Sequence, residues 1–445
     1  MYYSSHELKN SYETIQLRIA HVWSLRKEAF WYNDRAYTSE VVGGKHKQGK
    51  QGAVVKKGEF MAFIQKLIFN FVFMVFILWF SPQAVIAQDN LVFFGTHSVG
   101  SQKGISVAHF NSETGVLSKP ELVVEAPAPA YFILHPDGKH MYVCNSNDFA
   151  KGYTGQTISA YSIDPRNGSL TLLNQQSSGG ADPSYIWMDA SQRFVLVANY
   201  KGASVTVIAI KPDGSLGEII ANIKHSGRSI DTVRQTQPYA HSIKLDPTNR
   251  FALVADLGLD KLFVYRFNSK NGSLEPNDPP FAIVSPGSGP RHFAFHPNEK
   301  FVYLINEMAC TIITFAWDSA DGKLSEVQTS STLPLDFKGK NTCAEIEVYP
   351  NGKFLYASNR GHESLAVFTI DSTTGKISLL EHVPTQGHSP RNFTFDPTNK
   401  WLIVTNHNSD NAMVFKVDER SGHLTPVGNP VPIVYPFCIR FLPIR

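Results

Sequence analysis

One strand–turn–strand pattern recurs six times along this chain, and it constrains the fold more than any other feature. Aligned on its turn, PRHFAFHPNEKFVYLINE from Pro290 returns without gaps as PAYFILHPDGKHMYVCNS from Pro129 and PSYIWMDASQRFVLVANY from Pro183. It returns again as AHSIKLDPTNRFALVADL from Ala240, CAEIEVYPNGKFLYASNR from Cys343 and PRNFTFDPTNKWLIVTNH from Pro390. Within one copy Phe293 and Phe295 alternate, residues 296–300 turn, and Phe301, Tyr303 and Ile305 alternate again, which is the period of half-buried strands. The copies start 47 to 57 residues apart. An all-strand repeat of that length predicts a β-propeller with one four-stranded blade per repeat.

A second marker counts the blades independently. A polar-Gly-x-Leu/Ile turn occurs as TGVL at Thr114, NGSL at Asn167, DGSL at Asp213, NGSL at Asn271, DGKL at Asp321, TGKI at Thr374 and SGHL at Ser421. Such dipeptides supply the positive backbone angles of a tight hairpin, here between the outer strands. The pattern opens in mid-repeat at LVFFGTHS from Leu91, and the missing first strand is PFCIRFLP, Pro436–Pro443. The fold expected is therefore all-β, a seven-bladed β-propeller whose ring is closed by the C-terminal strand joining the N-terminal blade. Longer connections at 147–156, 224–237 and 334–342 are expected to rim one face.

Residues 1–60 lack blade signals. From Met61 the chain reads as a secretory leader: Lys66, an uncharged apolar run over 67–80, and Val85-Ile86-Ala87 before a cleavage site at Gln88. The run is short for a transmembrane span. The expected organisation is a non-propeller segment 1–60, a signal peptide 61–87 and a propeller 88–445. A leader so placed points to a translation start at Met61, against a true N-terminal extension or an uncleaved anchor. It implies export to the periplasm or the exterior, with no stable membrane span in the mature protein.

A net charge of +3 and no basic stripe argue against nucleic acid as partner. The four cysteines, Cys144, Cys310, Cys343 and Cys438, lack metal-ligand spacing and read as buried strand residues. No cofactor or metal is implied, and oligomeric state is not legible.

Repeats permit one further inference: positions the fold needs should match in every blade, and positions used for chemistry should differ. Asn145, Asn199, Asp256, Asn306, Asn359 and Asn406 occupy one column, which is architectural. Two neighbouring columns vary. At the start of the first strand they hold Ala130, Ser184, His241, Arg291, Ala344, Arg391 and Phe437. After the Asn column they hold His97, Ser146, Tyr200, Leu257, Glu307, Arg360 and His407. Three arginines, histidines and one carboxylate converging on a channel mouth suit a small anionic or polyhydroxylated ligand. Strand alternation predicts that His292 and Glu345 point away from the channel.

At these residues, and over Leu91 to Arg445, the chain resembles the seven-bladed propeller lactonases. These comprise the bacterial propeller-type 6-phosphogluconolactonases and the fungal carboxymuconate lactonising enzyme. The motifs that carry the resemblance are VANYKGASVTV at Val197, AHSIKLDPTNRFALVADLG at Ala240, PRHFAFHPNEKFVYLINE at Pro290 and YASNRGHESLAVF at Tyr356. The resemblance implies catalytic roles for His241, Arg291, Glu307 and Arg360. It implies hydrolysis of a sugar-acid lactone, with 6-phosphogluconolactone of the pentose phosphate pathway as the family's best-known substrate. That substrate is cytoplasmic, whereas an exported chain would meet an unphosphorylated aldonolactone. On this reading Glu307 or His241 activates water, Arg291 and Arg360 stabilise the oxyanion, and Arg391, His407 and His97 bind substrate. The alternatives are a non-enzymatic binding propeller and a muconate-type cyclase. No G-x-S-x-G nucleophile motif occurs.

Overall fold

In the computed structural model, residues 89–96, 103–146 and 156–443 are described. Segment 1–60, the leader expected at 61–87, His97 and most of the connection at 147–156 lie outside them. The described residues form seven antiparallel sheets. Six have four strands, and the first is built from Asp89–Thr96, Gly104–Asn111, Val116–Leu117, Glu121–Glu125 and Pro436–Pro443. Blades are numbered here from that sheet in chain order.

Closure is as the sequence predicts. Pro436–Pro443 pairs antiparallel with Asp89–Thr96 and is the innermost strand of blade 1. It packs between the innermost strands of blades 7 and 2, Pro390–Phe395 and Pro129–Leu134. The N- and C-terminal ends of the ring are thus zipped by backbone hydrogen bonds, and no edge is left at the join.

Sequence repetition becomes packing repetition at the seams. All seven turn glycines have φ between 69° and 80°, a region costly for any residue with a side chain. Each also faces a side chain of the preceding blade. A Cβ on Gly375 would lie 2.3 Å from Phe301, and one on Gly115 would lie 2.3 Å from Trp401, across the join between blades 7 and 1. Tyr142, Tyr303 and Tyr356 donate their hydroxyls to the carbonyl oxygens of Gly214, Gly375 and Gly422 at 2.9, 3.1 and 2.7 Å. The core therefore lies between blade faces, where Tyr303 and Tyr356 are fully buried.

The Asn column is architectural, as expected. Every member is fully buried, and Asn199, Asn359 and Asn406 donate to the backbone carbonyls of Ser178, Thr332 and Thr385.

Candidate active site

The ladder between the first and second strands of every blade is interrupted at the same place. In blade 5, Pro290 pairs with Asn306 and His292 with Ile305, so Arg291 is an extra residue. The same bulge sets out Ala130, Ser184, His241, Arg391 and Phe437 in their own blades. The variable column read from the sequence is therefore a ring of β-bulges around one mouth of the channel. Bulges re-aim side chains and recur beside active sites.

These residues line a cavity of about 450 Å³ that holds His241, Arg291, Glu307, Arg360 and Arg391, with Ser146, Ser184, Tyr200 and Phe437. The bulge also corrects the expectation for His292. Strand alternation turns it away, but two successive residues at a bulge do not alternate, and His292 lines the same cavity. Glu345 belongs to a separate chamber of about 540 Å³. His292 Nδ1 lies 2.9 Å from Glu345 Oε1, across the floor between the two.

His407 is placed otherwise than expected. It opens a short 3₁₀ turn, His407–Ser409, and its ring packs edge-on against Tyr435 and Phe437 at 4.8 and 4.6 Å. It does not line the cavity; it backs Phe437, which does.

Glu307 is the electrostatic hub. Oε2 lies 3.0 Å from both Arg291 Nε and Arg360 Nη2, and Oε1 accepts from Arg234 Nη2 at 2.5 Å. Burial alone would raise its pKa, but Arg360 and Arg291, with Arg234, outweigh it and bring Glu307 to about 2. Arg234 comes from the long 224–237 connection, which the repeat comparison placed on the rim without naming a residue. Lys201 and Asp182 add a pair at 3.6 Å. Among the described lining residues, five cationic side chains against two anionic ones leave three positive charges in excess.

The guanidiniums are held from behind. Arg291 Nη1 donates to the Ala344 carbonyl at 2.6 Å and Arg360 Nη2 to that of Cys343 at 2.7 Å. The Arg291 carbonyl accepts from Ser242 Oγ at 2.7 Å, and that of His241 from Ser184 Oγ at 3.0 Å. Burial, then repulsion by Arg360, lowers Arg291 to about 10, so it remains charged at neutral pH. Arg391 differs from the others. Its guanidinium carbon sits 3.9 Å from the centroid of the Phe437 ring, and the side chain has no protein acceptor among the described residues.

His241 is 7% exposed and lies edge-on to Tyr200 and His292 at 5.3 and 5.1 Å. Burial, followed by Arg291 and the neighbouring cations, lowers its pKa well below the usual value. The imidazole is therefore neutral at pH 7. Its Nδ1 has no hydrogen-bond partner among the described residues.

A model of the seven-bladed β-propeller lactonases matches residues 91–441. The chain belongs to this family. A 6-phosphogluconolactonase of Bacillus subtilis is 35% identical over 351 residues, covering 79% of this chain and 97% of that protein. One from Formosa agariphila is 34% identical, covering 72% and 90%. The solved periplasmic gluconolactonase of Pseudomonas aeruginosa aligns with a TM-score of 0.76 at 31% identity, over 80% of this chain and all of that one.

Away from this lactonase-family cavity, a group of ligand-type side chains that the sequence reading did not identify lies at the blade 2 hairpin turn. His135, Asp137 and His140 bring their ligand atoms within 4.8 Å of one another; His140 Nδ1 lies 2.7 Å from Asp137 Oδ2, and the Asp137 N–H donates to His135 Nδ1 at 3.1 Å.

Proposed function

We propose that this chain hydrolyses 6-phosphogluconolactone to 6-phosphogluconate at the bulge-ringed mouth of its channel. Family membership makes it a lactonase, an enzyme of the carboxylic ester hydrolase class. The observation that carries the substrate is Arg391. A half-buried guanidinium with no acceptor among the described residues, in a cavity whose described lining carries excess positive charge, suits a ligand that brings its own anion. The relatives named 6-phosphogluconolactonase support the same choice.

The chemistry follows from which groups are engaged. Glu307 is a poor base, because its pKa is about 2 and both oxygens are engaged by arginines. It fixes Arg291 and Arg360. His241 is neutral and lines the cavity, so its imidazole is the group able to accept a proton. Water attacks the lactone carbonyl while His241 takes its proton. Charge builds on the carbonyl oxygen, facing Arg291 and Arg360. The ring C–O bond then breaks, and His241 returns the proton to the departing alkoxide. Arg391 holds the phosphate.

A second reading, an unphosphorylated aldonolactone, is favoured by the leader expected at 61–87 and by the name of the Pseudomonas relative. The Arg391→Gln variant tests the choice. The kcat/KM for 6-phosphogluconolactone should fall roughly 10- to 100-fold, as for loss of a charged hydrogen bond, while that for gluconolactone stays nearly unchanged. An equal fall on both, or wild-type preference for gluconolactone, overturns the phosphate assignment.

A further inference from the structure

The blades depart from their repeat a second time, at the seam between blades 5 and 6. The turn between the second and third strands of a blade ends in a residue with left-handed backbone: Ala203, Asp260, Cys310, Glu363 and Asp410, with φ from 50° to 56°. In blades 4, 6 and 7 this residue is acidic, and its carboxylate caps the backbone just before the next blade's first strand. Asp260 accepts from Gly287 N and Gly289 N at 2.7 and 2.8 Å, Glu363 from Ser389 N, and Asp410 from Tyr435 N at 2.9 Å. Blade 3 has Ala203 and no such cap.

Blade 5 puts Cys310 there. On the other side of that seam stands a second exception. The residue before the bulge is Pro129, Pro183, Ala240, Pro290, Pro390 and Pro436 elsewhere, but Cys343 in blade 6. The two exceptions face each other. Both sulfurs reach the Asn341 amide, Cys310 Sγ at 3.2 Å and Cys343 Sγ at 4.0 Å. Both are free thiols. Ala203 and Ala240 break the same two columns across the seam between blades 3 and 4, but only between blades 5 and 6 are both replacements thiols that share one neighbour.

We propose that Cys310 and Cys343 are an oxidation site that forms an intramolecular disulfide between blades 5 and 6, behind the catalytic arginines. The roles of the two thiols differ. A hydrogen bond from Cys343, with that from Asn341 and the charge of Arg360, lowers Cys310 to about 7 against the effect of burial. Burial raises Cys343 well above its usual value. Cys310 is 7% exposed and Cys343 fully buried. Cys310 is therefore the thiolate that meets an oxidant, and Cys343 resolves it.

With a peroxide the steps balance. The Cys310 thiolate attacks one peroxide oxygen, the O–O bond breaks, and sulfenic acid and hydroxide form. The Cys343 thiol then attacks the Cys310 sulfur, the S–O bond breaks, and water leaves. Two thiols have lost two electrons and two protons, and the peroxide has become two waters. The link would bear on the site directly, because the Cys343 carbonyl holds Arg360 at 2.7 Å and its N–H donates to the Glu307 carbonyl at 3.0 Å.

The test treats the native protein with hydrogen peroxide, blocks remaining thiols before unfolding, and maps non-reduced peptides by mass spectrometry. The expected product joins the peptides of Cys310 and Cys343 and is lost with dithiothreitol, while Cys144 and Cys438, both raised by burial, remain alkylatable after unfolding. Cys343→Ser should stop at a sulfenic acid on Cys310, trapped by dimedone, and Cys310→Ser should give neither adduct nor cross-link. Native protein in which all four thiols survive peroxide, or a cross-link that excludes Cys310, overturns the proposal. Because the readout is covalent, it stands or fails independently of which lactone is turned over.

Discussion

Replacing Glu307 by glutamine removes one negative charge, keeps the side-chain shape, and leaves Arg234, Arg291 and Arg360 around a neutral amide. The depression of Glu307 from the usual 4.5 to about 2 sets the size of the effect. At 1.36 kcal/mol per unit it corresponds to about 3 kcal/mol, the range found when a buried ion pair loses one partner. The sign is fixed by linkage. A folded-state pKa below the unfolded one stabilises fully above about pH 4.5, and the contribution is lost as pH falls through about 2. Urea unfolding of wild type and Glu307→Gln should therefore differ by about 3 kcal/mol at pH 7. The gap should narrow steadily from about pH 4.5 downward. Lactone turnover should also fall by at least ~100-fold, because the guanidiniums lose the group that positions them. A gap under ~1 kcal/mol at pH 7, or one unchanged between pH 7 and pH 3, would refute the hub assignment.

Two further substitutions probe the ring and the rim. Gly375→Ala places a Cβ at φ +72° and 2.3 Å from Phe301, and should cost at least about 1–2 kcal/mol from the backbone alone, read as a lowered urea midpoint. Arg234→Met removes a charge whose side chain is 40% exposed. Stability should change by less than about 1 kcal/mol, while KM for the anionic lactone rises roughly tenfold, or about 1.4 kcal/mol.

The ring was legible in the sequence because each blade repeats the same demands: a turn glycine against Phe301 or Trp401, and a buried Asn at the strand end. The candidate cavity was legible for a related reason, since His241, Arg291, Glu307, Arg360 and Arg391 occupy columns where repetition fails. What escaped was geometry that no column encodes. The bulge at Arg291 resets alternation and brings His292 into the cavity. Arg234 sits in a long connection between blades 3 and 4, outside the aligned repeat, and only the length of that connection marked it. His407 shares its column with Glu307 and Arg360, but the local 3₁₀ turn commits its ring to Tyr435 and Phe437. The acidic caps at Asp260, Glu363 and Asp410 had to be seen bonded before Cys310 stood out as their replacement.

The most direct test of the central claim is the rate of 6-phosphogluconolactone hydrolysis by protein spanning residues 88–445, wild type and His241→Gln, across pH 5 to 7 and above the spontaneous rate. The account predicts wild-type turnover that persists below pH 6.5, because His241 stays neutral there. It predicts a loss of ~10²–10⁴-fold in the variant at every pH. Wild-type hydrolysis no faster than the spontaneous reaction, or a variant as active as wild type, would contradict it.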